Sequence, residues 1–297
     1  MVRLLGIAEM SLPNCIILAT DLAPRTDRAQ DRAVTLARAW RAQLTFVYAI
    51  DLAGMPTEKA KEPATEIARR RANRLLQAEV SNTGDVRPRI VIDEGNAAAV
   101  VLKAAQMEGA DLIVTGTAGL SPLGQLLLGG TTARLVAQAT APVLVVKKRG
   151  KSPYARIIVA TDLSGASIAA LETATALFQP SQITLYHAFD TPYRGLIADK
   201  ATYEAGARAN ALNETSAFAS RNLGASADSL NIEVGFGDAA RCIAEYAAQI
   251  EADLVLAGTH GRTGLFRVLL GSVALALMDD VPCDVMIVPS KGARLPV

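Results

Sequence analysis

The chain repeats one sequence twice. The run CIILATDL, from Cys15 to Leu22, returns as RIIVATDL, from Arg156 to Leu163, 141 residues on. ADLIVTGTAG, from Ala110 to Gly119, returns as ADLVLAGTHG, from Ala252 to Gly261. LLLG, ending at Gly129, returns as VLLG, ending at Gly271. Both of these lie 142 residues on. A nearly constant register over such a span marks duplicated domains rather than a short solenoid repeat. The charged segment from Lys147 to Pro153, which contains Gly and Pro, separates the copies. The expected domains are 1–148 and 153–291.

Each copy alternates two hydrophobic periods. In the first, Ile16 to Thr20 is a short apolar run of the kind a buried parallel strand shows. Thr26 to Arg41 has helical spacing, with Ala29, Ala33, Leu36 and Ala37 on one face. Gln43 to Ile50, Arg89 to Ile92, Leu112 to Thr115 and Val143 to Val146 read as further strands. Glu58 to Val80, Ala97 to Met107 and Thr131 to Gln138 read as further helices. The second copy follows the same order and closes with a strand from Val285 to Val288. The fold class expected is α/β: two tandem doubly wound five-stranded parallel-sheet domains with helices on both faces. Ligands on such sheets sit at the carboxyl ends of strands where strand order reverses. Thr20-Asp21 and Gly116, at the ends of the first and fourth strands, are the places to look, as are their counterparts in the second copy.

Composition narrows the partners. Hydrophobic residues are 51% and charged residues 20% of the 297, which argues for buried cores and against disorder. Thirty basic residues against 29 acidic give a net charge of +1, and aromatics are 4%. That balance supplies neither a basic surface for nucleic acid or membrane nor a stacking platform for bases. Cys15, Cys242 and Cys283 are far apart and form no CxxC, which speaks against a disulfide framework or a cysteine zinc site. Met1 to Leu12 carries Glu9 and lacks a secretory signature, and no apolar stretch is long enough to span a bilayer. The expectation is a soluble cytoplasmic protein.

The chemistry concentrates in one loop. In the second copy the fourth strand, Asp253 to Ala257, runs into Gly258-Thr259-His260-Gly261-Arg262. Nine residues after Gly261 come Gly271 and Ser272, opening a helix at Val273. Glycines let backbone approach a phosphate closely and adopt positive φ. Free N–H groups at the helix start point at an anion, with Ser272 as hydroxyl donor and N-cap. Arg262 adds charge for outer phosphates. The loop is not a Walker A motif, since no GK[ST] follows, and no GxGxxG follows the first strand.

The pattern Gly258-x2-Gly261-x9-Gly271-Ser272, with Asp162 ending the first strand, resembles the ATP-binding subgroup of the universal stress protein family. The resemblance covers both copies. It implies a sheet of order 3-2-1-4-5, the adenine nucleotide α hydrolase-like arrangement. It places Asp162 beside the adenine and ribose and the backbone of Ala188 at the adenine. Gly258, Gly261, Gly271 and Ser272 would surround ribose and phosphates, with Thr161, Thr259, His260, Arg262 and Val273 alongside. The implied ligand is ATP or another adenine nucleotide, with Mg accompanying it. The implied role is that of a stress-response sensor or regulator. Family dimers imply an intramolecular pseudo-dimer through the last strands, and a homodimer of the whole chain.

The first copy departs from the pattern. Asp21, Ala49, Gly116, Gly119 and Gly129 match, but Gly130 stands where Ser272 does, Ala118 where His260 does, and Leu120 where Arg262 does. A hydroxyl, an imidazole and a guanidinium are missing, so the second copy is expected to be the better site. No metal-binding pair, GxSxG elbow or other catalytic constellation stands out. Two alternatives stay open: a slow ATPase or phosphotransfer enzyme on the same fold, and a ligand-free interaction scaffold. His187, Cys242 and Cys283 read as structural, and the charged run from Glu66 to Arg74 as a solvated helix face.

Overall fold

The computed structural model describes residues 12–51, 58–117, 119–120, 126–127, 129–150, 152–190, 200–259 and 271–290. The apolar runs of the first copy form β1 (Cys15–Ala19), β2 (Gln43–Ile50), β3 (Arg89–Glu94), β4 (Leu112–Gly116) and, after a two-residue ladder of β5 (Gly119–Leu120) with β6 (Leu126–Leu127), β7 (Val143–Val146). Between them lie α1 (Asp27–Trp40), α2 (Glu58–Ser81), α3 (Ala97–Glu108) and α4 (Gly130–Gln138). The second copy repeats the plan: β8 (Ile157–Thr161), α5 (Gly165–Leu177), β9 (Ile183–Phe189), α6 (Lys200–Leu223), β10 (Asn231–Phe236), α7 (Ala239–Gln249), β11 (Leu254–Gly258), α8 (Ser272–Asp280) and β12 (Asp284–Val288). The small β5–β6 ladder has no alternating pattern to announce it, and the sequence reading passed over it.

All the long strands join one sheet, β10-β9-β8-β11-β12-β7-β4-β1-β2-β3. Each half is parallel and ordered 3-2-1-4-5. The halves meet where β12 pairs antiparallel with β7, Met286 opposite Leu144. Strand side chains alternate between two cores. Ile16, Leu18, Ile157 and Val159 pack with α1, α2, α5 and α6. Ile17, Ile113, Ile158 and Val255 pack with α3, α4, α7 and α8. The helices after β8 and β11 therefore leave on opposite faces, which opens a crevice between those strand ends. The same holds for β1 and β4.

Lys147, read from sequence as the start of a charged linker, is 2% exposed. Its Nζ donates to the carbonyls of Val281 (2.9 Å) and Leu277 (3.4 Å) at the end of α8. The reason is its partner. Asp284, 1% exposed, accepts from the backbone N–H of Lys147 and Lys148 at 2.8 and 3.0 Å and from the Tyr154 hydroxyl at 2.7 Å. Arg32 of α1 lies 3.5 Å from the same carboxylate and 4.0 Å over the Tyr154 ring. A polar knot thus fastens the seam between the halves.

Candidate functional site

The crevice of the second half begins with a turn. Thr161 Oγ1 accepts from the N–H of Leu163 at 2.9 Å, which holds Leu163 at φ 62°. Asp162 Oδ1 accepts from Ser164 N–H, Ser164 Oγ and Ser167 Oγ at 3.1, 2.5 and 3.1 Å. The aspartate is thus a turn former, and it also lines the cavity. His187 Nδ1 lies 2.9 Å from the Thr161 carbonyl and braces the same corner.

The opposite wall is the passage from β11 to α8. Thr259 N–H donates to Val288 O at 3.1 Å, and Gly271 N–H donates to Thr259 O at 2.9 Å. This pulls the start of α8 against the end of β11. The helix opens one residue earlier than expected, at Ser272. Its N-cap is Gly271, with φ −61° and ψ 143° and no side-chain cap. Ser272 is therefore not the N-cap, and Gly271 is not held by positive φ. What glycine provides here is a cap position with no side chain between the first-turn amides and the cavity.

A cavity of about 260 Å³ results. Thr161, Asp162, Ala188, Gly258, Thr259, Gly271, Ser272 and Val273 line it, so these sequence-predicted residues are brought together. His260, Gly261 and Arg262 lie outside the described residues. Ser167, Ala239, Ile243, Ala257 and Ala274 line it too, and sequence reading missed them. Ala239 and Ile243 come from the first turns of α7. The signal was present at the preceding residues, Gly237 at φ 119° and the N-cap Asp238, whose counterparts are Gly95 at φ 129° and the N-cap Asn96.

The first half has a matching cavity of about 270 Å³ at the ends of β1 and β4. Asp21, Ala49, Gly116, Gly129 and Gly130 line it. Gly119 belongs to β5. Beside the second-half site burial pushes up a thiol and a phenol. Cys242 rises, and Tyr186 rises to about 12. Desolvation at the seam lifts Cys283 to about 12. Among the described residues no group of three His, Cys, Asp or Glu side chains is placed to hold a metal ion, and no helix is long and apolar enough to cross a membrane.

Comparison with known proteins bears on the whole chain. The model of the universal stress protein family matches residues 14–147 and again 153–289. A universal stress protein of Methanocaldococcus jannaschii is 30% identical over 141 residues, 46% of this chain and 83% of that protein. One of Thermus aquaticus is 35% identical over 133 residues, 44% of this chain and 97% of that protein. The crystal structure of a universal stress protein from Archaeoglobus fulgidus superposes with a TM-score of 0.67 at 16% identity, covering 93% of this chain and 98% of that one. At that identity the likeness speaks for the fold alone.

Proposed function

Because the chain belongs to the universal stress protein family, we propose that it binds ATP or a related adenine nucleotide and acts through that ligand as a stress-response regulator. One observation carries the reading. The second-half cavity sits at the strand-order reversal, with a carboxylate on one wall and the uncapped first turn of a helix on the other. A purine and ribose suit the wall of Asp162, Ala188 and Ile243, where hydroxyls and a carboxylate meet small apolar side chains. Phosphates suit the N–H groups after Gly271 and the hydroxyl of Ser272. His260 and Arg262 follow the strand end in sequence and complete the proposed ligand set, and magnesium would enter with a triphosphate. Ligand binding at the start of α8 would change what that surface offers a partner protein.

Mass spectrometry of small molecules released from the purified protein, with calorimetric titration of ATP and AMP, tests this. An adenine nucleotide released or bound, and lost on Asp162→Ala, is the expected result. A protein that releases none and gives no heat with either nucleotide overturns it.

A further inference from the structure

We infer that the first-half cavity is a second working site for an adenine nucleotide, in which Thr131 takes the part assigned to Ser272 in the second half. The inference rests on the nucleotide reading of the second cavity. Sequence alone counted the hydroxyl as lost, because Gly130 occupies the matching position. The cavities nevertheless have nearly the same volume, about 270 and 260 Å³. Ala19, Thr20, Asp21, Ala49, Ala97 and Gly116 have identical counterparts in the second lining. The N-caps Gly129 and Gly271 share one conformation, φ −73° and ψ 151° against φ −61° and ψ 143°, and neither carries a side-chain cap.

The hydroxyl has moved by one residue rather than vanished. Thr131 lines the first cavity where Val273 lines the second. One step along a helix turns the side chain by about 100°, and Thr131 is half-buried where Ser272 is exposed. Its neighbour Thr132 is already engaged, donating to Gly116 O at 3.1 Å, with Thr115 Oγ1 3.5 Å away. Thr115 and Thr132 therefore tie down the cavity floor where the second half has Ala257 and Ala274, and Thr131 is left as the hydroxyl of that helix turn facing the ligand.

Titration of the full-length chain with ATP decides it. Aspartate in the first turn suits a helix dipole, so Thr131→Asp and Ser272→Asp keep their helices while setting a carboxylate against phosphate. The wild type is expected to take two ATP per chain, each single variant one, and the double variant none. A wild type that takes one ATP, unaffected by Thr131→Asp and lost in Ser272→Asp, overturns the inference and leaves the second-half reading standing. A wild type that takes none overturns both. Gly130→Ser gives an independent reading, since a Cβ built there has nothing within 4 Å. With Thr131 already supplying the hydroxyl, it is expected to leave both dissociation constants nearly unchanged. A tightening of one site by about tenfold, the worth of one hydrogen bond to a charged group, would show that the hydroxyl was missing and would overturn the assignment to Thr131.

Discussion

Lys147 keeps an ammonium group in a place where water cannot reach it. Desolvation lowers its pKa from 10.5 to about 8, against the raising influence of Cys283, Asp279, Asp284 and Asp280 around it. A base whose folded pKa is depressed is held in the fold with fewer protons than in the unfolded chain between those two values. Its charged form therefore costs stability below about pH 8, and the cost is relieved as pH rises toward 10.5. A shift of that size is worth on the order of 3 kcal/mol. The neutral amine still donates, so the bonds to Leu277 and Val281 survive deprotonation. Lys147→Met lacks the titration. The stability of the wild type relative to this variant should rise between pH 7.5 and pH 10, read from paired urea melts in which Cys283 and Tyr154 titrate in both proteins. Parallel pH profiles would refute the buried-charge cost. None of this was legible in sequence, where Lys147 opens a charged run. Its burial follows from Asp284, a residue at the start of β12 that has no acidic counterpart in the first copy.

The elements themselves were largely legible, because each carries its own period. Gln43 to Ile50 was read as a strand to the residue, and the long helix after it to within one residue of its end. The start of α8 was misplaced by one because Ser272 is a favoured cap type, whereas the chain uses Gly271. Cavity residues such as Ile243 and Thr131 were not legible as lining, because only the packing of α7 and α4 on the sheet aims them there. Two devices recur in both copies. Asp111 and Asp253 accept from the backbone at the strand starts, from Asn14 and Cys15 and from Ala155 and Arg156, at 2.7–3.1 Å. Leu22 and Leu163 take φ 59° and 62° behind the strand-end aspartates. A β-branched side chain tolerates that region worst. Leu163→Val should therefore cost about 1–2 kcal/mol in denaturant unfolding and weaken ATP binding with it. A loss below about 0.5 kcal/mol, the scatter expected of an ordinary surface change, would mean the turn relaxes freely.

At the scale of the molecule the seam decides how the halves behave apart. Val143, Val145, Val285 and Ile287 are at most 1% exposed in the joined sheet. Cutting the chain bares two apolar strand edges, each a template for another copy. Residues 153–290 produced alone should therefore sediment as a dimer or larger, and a stable monomer at micromolar concentration would refute this. In the whole chain the same surfaces are consumed internally, which leaves β3 and β10 as the outer edges.

That arrangement also has a timetable. β7 is finished at Val146, but the strand that covers it ends only at Val288. At about 5–20 residues per second, ribosomal synthesis leaves roughly 7–30 s between the two. Through that interval the newborn first half displays a bare edge, and its nearest competitors are first halves emerging from neighbouring ribosomes on the same message. Conditions that slow elongation through the second half lengthen the window in which the wrong neighbour can pair first.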